Sequence, residues 1–73
     1  MKIFEVPHLY DLPMMLKKER KRQRLTQKQL AGKAHISENT VALTEKGFTK
    51  PSVEVLASII GALGYDTIQI KIY

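Results

Sequence analysis

The chain has 73 residues, a formal net charge of +5 and no cysteine, which makes one small domain that buries only about 60 % of its unfolded surface and gains from a dimer or another staple. No disulfide framework, thiolate metal site or cysteine nucleophile can form, and two histidines, His8 and His35, are too few and too far apart in sequence for a metal site. No apolar run approaches the roughly 18 residues that span a bilayer, and the opening Met-Lys-Ile-Phe-Glu-Val lacks a signal-peptide core, so the expectation is a cytoplasmic protein.

Lys2 to Val6 favour a strand, because Ile3, Phe4 and Val6 are β-branched or aromatic and Pro7 stops the run. Phe4 and Val6 share one face of it, Ile3 and Glu5 the other. A first helix follows from about Pro13 to Gln23, capped by Asp11 or Leu12, with Pro13 in the first turn where a missing N–H costs nothing. Leu12, Met15 and Leu16 supply its apolar stripe, and Met14 and Met15 read as packing residues of the core or a dimer.

Thr26 with Gln29 forms a capping box, which starts a second helix running to about Lys33. Leu30, Ala31 and Ala34 are its buried face, and the small Ala31 allows a close helix crossing. Ser37 caps a third helix, with Glu38 at its positive end, Val41 facing inward and Gly47 as its left-handed stop. Residues 48–51 form a loop. Ser52 caps a fourth helix from about Val53 to Leu63, with Val53, Leu56, Ile59, Ile60 and Leu63 as the apolar face and Gly64 as terminator.

From Tyr65 to Tyr73 the period changes from 3.6 to 2. Ile68, Ile70 and Ile72 point one way, and Thr67, Gln69 and Lys71 the other. The two terminal strands can pair with each other, with a second copy of the chain, or both; a two-stranded sheet is marginal alone, and a sheet spanning a dimer would use the exposed edges. No internal repeat or low-complexity segment is present.

Two short capped helices joined by a tight turn are how a helix-turn-helix presents its second helix to a DNA groove. Lys17, Lys18, Arg20, Lys21, Arg22, Arg24 and Lys28 lie just before and inside that unit, opposed in the same window only by Glu19. Such a block can be a mere solvated helix face. Beside a helix-turn-helix it reads as the footprint of a phosphate-binding surface.

Arg20, Leu25-Thr26-Gln27, Leu30-Ala31, Ile36-Ser37, Thr40-Val41, Glu45-Lys46-Gly47, Pro51-Ser52 and Leu63-Gly64 resemble the Cro/phage-repressor (XRE) helix-turn-helix family over about Leu16 to Gly64. The flanking strands and the leader Val6-Pro7-His8-Leu9-Tyr10 look like the HipB-like antitoxins of toxin–antitoxin modules. The resemblance implies a mainly α, four-helix domain with short terminal strands in a dimer sheet, held by Ile68, Ile70 and Ile72. As one domain over 1–73, it comprises an N-terminal strand and leader (1–12), a helical core (13–64) and a C-terminal strand (65–73). It implies a bacterial or phage protein at the nucleoid, without cofactor.

The family pattern also implies roles. Arg20 and Glu45 correspond to a structural ion pair between the first and third helices. Gln27 corresponds to a phosphate contact at the start of the second helix, with Lys28 beside it. Ser37, Glu38, Asn39, Thr40, Ala42 and Leu43 occupy recognition-helix positions. Asn39 can contact adenine through two hydrogen bonds; Glu38 can accept from cytosine N4 or simply stabilise the helix start. Thr40 can reach a phosphate or a thymine methyl, and Ala42 and Leu43 can offer apolar contact. Lys46, Thr49 and Lys50 can grip the backbone.

Three positions depart from the pattern. His35 stands in the turn where glycine or asparagine is usual, Thr44 where a larger apolar residue packs the third helix, and Leu43 where a polar reader is usual. Thr44 and Leu43 together would suit a third helix rotated or shifted in its seat, with Leu43 partly in the core. The leading reading is a homodimeric repressor on an inverted-repeat operator in double-stranded DNA, acting as the autoregulating antitoxin of a type II module with a cognate toxin partner. The alternatives are a phage or chromosomal regulator without a toxin, and a protein-interaction module with vestigial DNA binding. An enzyme is not expected: no acid–base dyad, no nucleophile beside a base and no glycine-rich phosphate loop is visible.

Overall fold

The computed structural model describes residues 1–71. Its elements in chain order are β1 (Ile3–Val6), a 3-10 turn (Leu9–Asp11), α1 (Leu12–Arg22), α2 (Gln27–Ala34), α3 (Glu38–Lys46), α4 (Val53–Ala62) and β2 (Thr67–Ile70). The fold is thus mainly α, four helices flanked by two short strands.

Three of the four helices start on a side-chain cap. Thr26 Oγ1 accepts from the Gln29 N–H at 3.0 Å while Gln29 Oε1 accepts from the Thr26 N–H at 2.8 Å, a closed capping box at the start of α2. Ser37 Oγ accepts from the Thr40 N–H at 3.0 Å and Ser52 Oγ from the Val55 N–H at 3.1 Å, which opens α3 and α4. The start of α1 differs from the expectation. Asp11 holds the cap position without a side-chain cap bond. The chain enters instead through the 3-10 turn, whose own cap is His8 Nδ1 accepting from the Tyr10 N–H at 3.2 Å.

Gly47 and Gly64 take the left-handed conformation that stops α3 and follows α4. His35 takes it too, at φ 57°, as the departure in the turn required. Arg24, at φ 59°, does the same between α1 and α2, a feature nothing in its residue type announces.

The centre of the core is Leu16, Leu30, Val41 and Ile59, one residue from each helix, with Leu63 just after α4 and Phe4 and Val6 of β1 closing it. Each such side chain contributes roughly 1.5–3 kcal/mol by leaving water. The apolar face of α4 is corrected at one position. Val53, in the first turn and at the edge of the stripe, is 82 % exposed. Val55 packs against the core in its place.

The strands pair with each other, in parallel, with Phe4 opposite Ile68 and Val6 opposite Ile70. The four helices between them supply the crossover that a parallel pair requires. The expected split of faces holds: Phe4 and Val6 are buried while Ile3 and Glu5 are exposed. Ile68 and Ile70 pack half-buried against the core of their own chain. Ile72 lies outside the described residues. The C-terminal strand begins at Thr67, later than the expected residue 65, and Tyr65 precedes it, with its ring edge-on to Phe4 at 5.0 Å.

Candidate nucleic-acid interface

The arrangement of α2 and α3 is set by one buried carboxylate. Arg20 of α1 donates from Nε to Glu45 Oε2 at 2.7 Å and from Nη2 to Glu45 Oε1 at 3.0 Å, with the side chains 8 % and 3 % exposed. The third guanidinium nitrogen, Nη1, donates to the Leu25 carbonyl at 2.8 Å, in the turn between α1 and α2. Gln27 Nε2 donates to Glu45 Oε1 at 3.2 Å. Glu45 therefore ties α1 and the first residue of α2 to the last turn of α3. Buried charges are stable only when paired and hydrogen-bonded in this way.

Helical spacing then fixes which side chains of α3 face outward. Val41, Thr44 and Glu45 are buried. Asn39, Ala42, Leu43 and Lys46 fall on the opposite stripe at i, i+3, i+4 and i+7. Asn39 and Lys46 are exposed, and Ala42 and Leu43 are half-buried. Ser37 and Glu38 stand exposed at the N-terminal end of this stripe. Thr40 is half-buried, with its hydroxyl 2.7 Å from Ser37 Oγ.

Thr44 itself fills the inward position, 2 % exposed, and its hydroxyl donates to the Thr40 carbonyl at 2.8 Å. A smaller residue suffices there because that hydroxyl is satisfied within the helix. Leu43 remains on the outer stripe.

Cationic side chains stand exposed on α1, on α2 and in the loop after α3. Lys28 and Lys50 are exposed, as are Lys17, Lys18, Lys21, Arg22 and Arg24 of the basic block. Arg20 is the exception within that block, since its charge is spent inside the fold. Gln27 keeps a second amide hydrogen beyond the one given to Glu45, and it sits among the unpaired N–H groups that begin α2, a geometry suited to a phosphate oxygen.

Sequence reasoning missed a second polar cluster. Glu19, taken as the lone acid in a cationic run, is buried. It accepts from Arg22 Nε at 2.9 Å and Nη2 at 2.6 Å, from Gln23 Nε2 at 2.8 Å and from the Tyr65 hydroxyl at 3.0 Å. Gln23 also donates to the Leu63 carbonyl at 2.7 Å, binding α1 to the end of α4. The Arg22 hydrogen bonds hold the Glu19 carboxyl down to about 2 against the opposing effect of burial, with Gln23 and Tyr65 adding to the lowering. Burial, then the neighbouring Glu19 carboxylate, pushes the Tyr65 hydroxyl up. One signal was available: Glu19 falls on the Leu12–Leu16 stripe at i+7 and i+3.

Among the described residues no group of histidine and acidic side chains could hold a metal ion, and no helix is long and apolar enough to cross a membrane. No curated protein matches the chain. A family model described as helix-turn-helix matches residues 16–70.

Proposed function

Because the chain belongs to the Cro/phage-repressor (XRE) helix-turn-helix family of DNA-binding transcription regulators, we propose that it is a sequence-specific repressor binding double-stranded DNA as a homodimer. Two copies of α3 would enter successive major grooves of an inverted repeat, about one helical turn apart. The observation that carries this reading is the outer stripe of α3, with Asn39 exposed and the helix locked beneath it by Glu45. Asn39 reads a base edge; Ser37, Glu38, Thr40, Ala42 and Leu43 complete the contact; Gln27, Lys28, Lys46 and Lys50 hold phosphates.

The homodimer is supported by the marginal size of the domain and by a sheet that has only two strands among the described residues. The narrower role, an autoregulating antitoxin paired with a toxin in a bacterial or phage cytoplasm, rests on the resemblance of the flanking strands and leader.

The test is a fluorescence titration against the DNA upstream of the protein's own gene, at two salt concentrations, with scrambled DNA as competitor. The expected result is binding that survives the competitor and tightens as salt falls. Asn39→Ala should lose about 1–3 kcal/mol of discrimination at its base pair, with non-specific binding unchanged. Equal competition by scrambled DNA would sink the reading of α3 as a base-reading helix. Sedimentation in the same buffers checks the dimer, and a single-copy mass at every concentration and on the operator would refute it.

A further inference from the structure

Large apolar side chains are not scattered evenly over the surface. Leu9, Tyr10 and Met14 are 40 %, 86 % and 61 % exposed, and all three line one open groove of about 920 Å³. The groove runs between the 3-10 turn with the start of α1 on one side and the end of α3 with its following loop on the other. Phe48 and Val53, also strongly exposed, flank that loop in the chain. Exposed apolar surface gathered in one place marks an interaction site more often than isolated residues do.

Tyr10 is held ready for contact, because its ring stacks on His8 with centroids 4.8 Å apart. Less freedom is then lost when a partner covers it.

The rim decides what the partner is. Lys17, Lys46 and Lys50 border the groove. Glu45, the one acidic residue among those lining it, is already committed to Arg20 and Gln27. A second copy docked groove to groove about a two-fold axis would bring three lysines against three lysines. An acidic ligand meets them favourably. The apolar floor asks for leucine-like side chains on one face of that ligand, the pattern of an amphipathic helix laid in a groove.

We propose that this groove docks an acidic amphipathic segment of another protein, and that its occupancy competes with DNA for Lys46 and Lys50. The docking stands on the groove alone. The competition rests on the DNA-binding reading above. A partner seated here would lift the protein from its operator by taking two of the cations that grip the backbone.

The probe is a labelled amphipathic peptide about four helical turns long, with leucines at i, i+3, i+4 and i+7 and glutamates elsewhere. Its counterpart carries lysine at each glutamate. Titrated into the isotope-labelled full chain, the acidic peptide should shift the amide signals of Leu9, Tyr10, Met14, Lys17, Gly47 and Lys50. It should bind at least about tenfold more tightly than the basic one. Tyr10→Ala and Met14→Ser, both at exposed positions, should each weaken it about fivefold or more, with thermal unfolding and operator binding unchanged. Equal binding of both peptides, shifts that map elsewhere, or no binding would overturn the docking site. So would self-association that Met14→Ser abolishes, since that assigns the groove to a second copy. Peptide bound alongside operator DNA, without displacement, would overturn the competition. Failure of the chain to bind operator DNA at all would also end the competition, and the peptide shifts report on the groove independently of it.

Discussion

Two arginines of α1, two residues apart, each grip a glutamate with nearly the same geometry. Arg20 grips Glu45 through two nitrogens at 2.7 and 3.0 Å, and Arg22 grips Glu19 through two at 2.9 and 2.6 Å. They differ in surroundings. The first pair is 8 % and 3 % exposed and joins three helices; in the second, Arg22 is 64 % exposed and the pair lies within one helix. Distance alone would rank them equal. Burial and the other hydrogen bonds of each carboxylate separate them, because water screens an exposed charge and abandons a buried one.

Removing Glu45 breaks that comparison most severely. Glu45→Ala leaves Arg20 charged and buried without its partner, and urea unfolding should show a loss of about 3–5 kcal/mol. The pair Arg20→Met with Glu45→Leu, which removes both charges, should recover much of it. If Glu45→Ala unfolds at the wild-type midpoint, the ion pair is not what joins the helices.

Glu19→Ala comes next. It leaves the Tyr65 hydroxyl, half-buried, and Gln23 without their shared acceptor, and about 1–2 kcal/mol should be lost. The same carboxylate makes stability depend on acid. Held down to about 2 in the fold and near 4.5 when free, Glu19 contributes in full above about pH 4.5 and loses its contribution as pH falls towards 2. Thermal unfolding from pH 6 to pH 2 should therefore drop more for the wild type than for Glu19→Gln below pH 4.5; parallel curves would dismiss the Arg22 contact as the cause.

Arg22→Ala should be the mildest, with a urea midpoint close to that of the wild type, because the guanidinium is mostly in water. A loss as large as that of Glu45→Ala would show that exposure is not the deciding difference.

The same contrast explains what could be read from the residues. Thr26 with Gln29, Ser37 and Gly47 act within three or four positions of themselves, and a local rule is enough to place them. The correspondence of Arg20 with Glu45 came from a family pattern, since nothing in the spacing of two residues 25 apart dictates a contact. Glu19 had no such help: its hydroxyl partner lies 46 residues away, and a glutamate among lysines looks solvated. Val53 failed for a different reason. Periodicity names a face of α4 but not where the neighbouring helices stop covering it. The entry to α1 was hidden because a histidine cap on a three-residue 3-10 turn has no strong pattern of its own. As for the interface, the exposed stripe followed from the register of α3, while the hold of Glu45 on Gln27 became visible only in three dimensions.

The parallel sheet sets an order of events during synthesis. Phe4 and Val6 pair with residues 68 and 70, and the Lys2 N–H donates to Asp66 Oδ2 at 2.7 Å. The helices can assemble from contacts nearer in sequence, but β1 has no strand to join until residue 70 has been made. At about 5–20 residues per second the ribosome takes roughly 3–12 s to travel from β1 to β2. Through that interval an aromatic, β-branched segment waits beside a growing chain, the kind of stretch that other nascent chains can pair with. Lys2 and Glu5, charges on either side of Phe4, are placed to discourage such pairing while the strand waits.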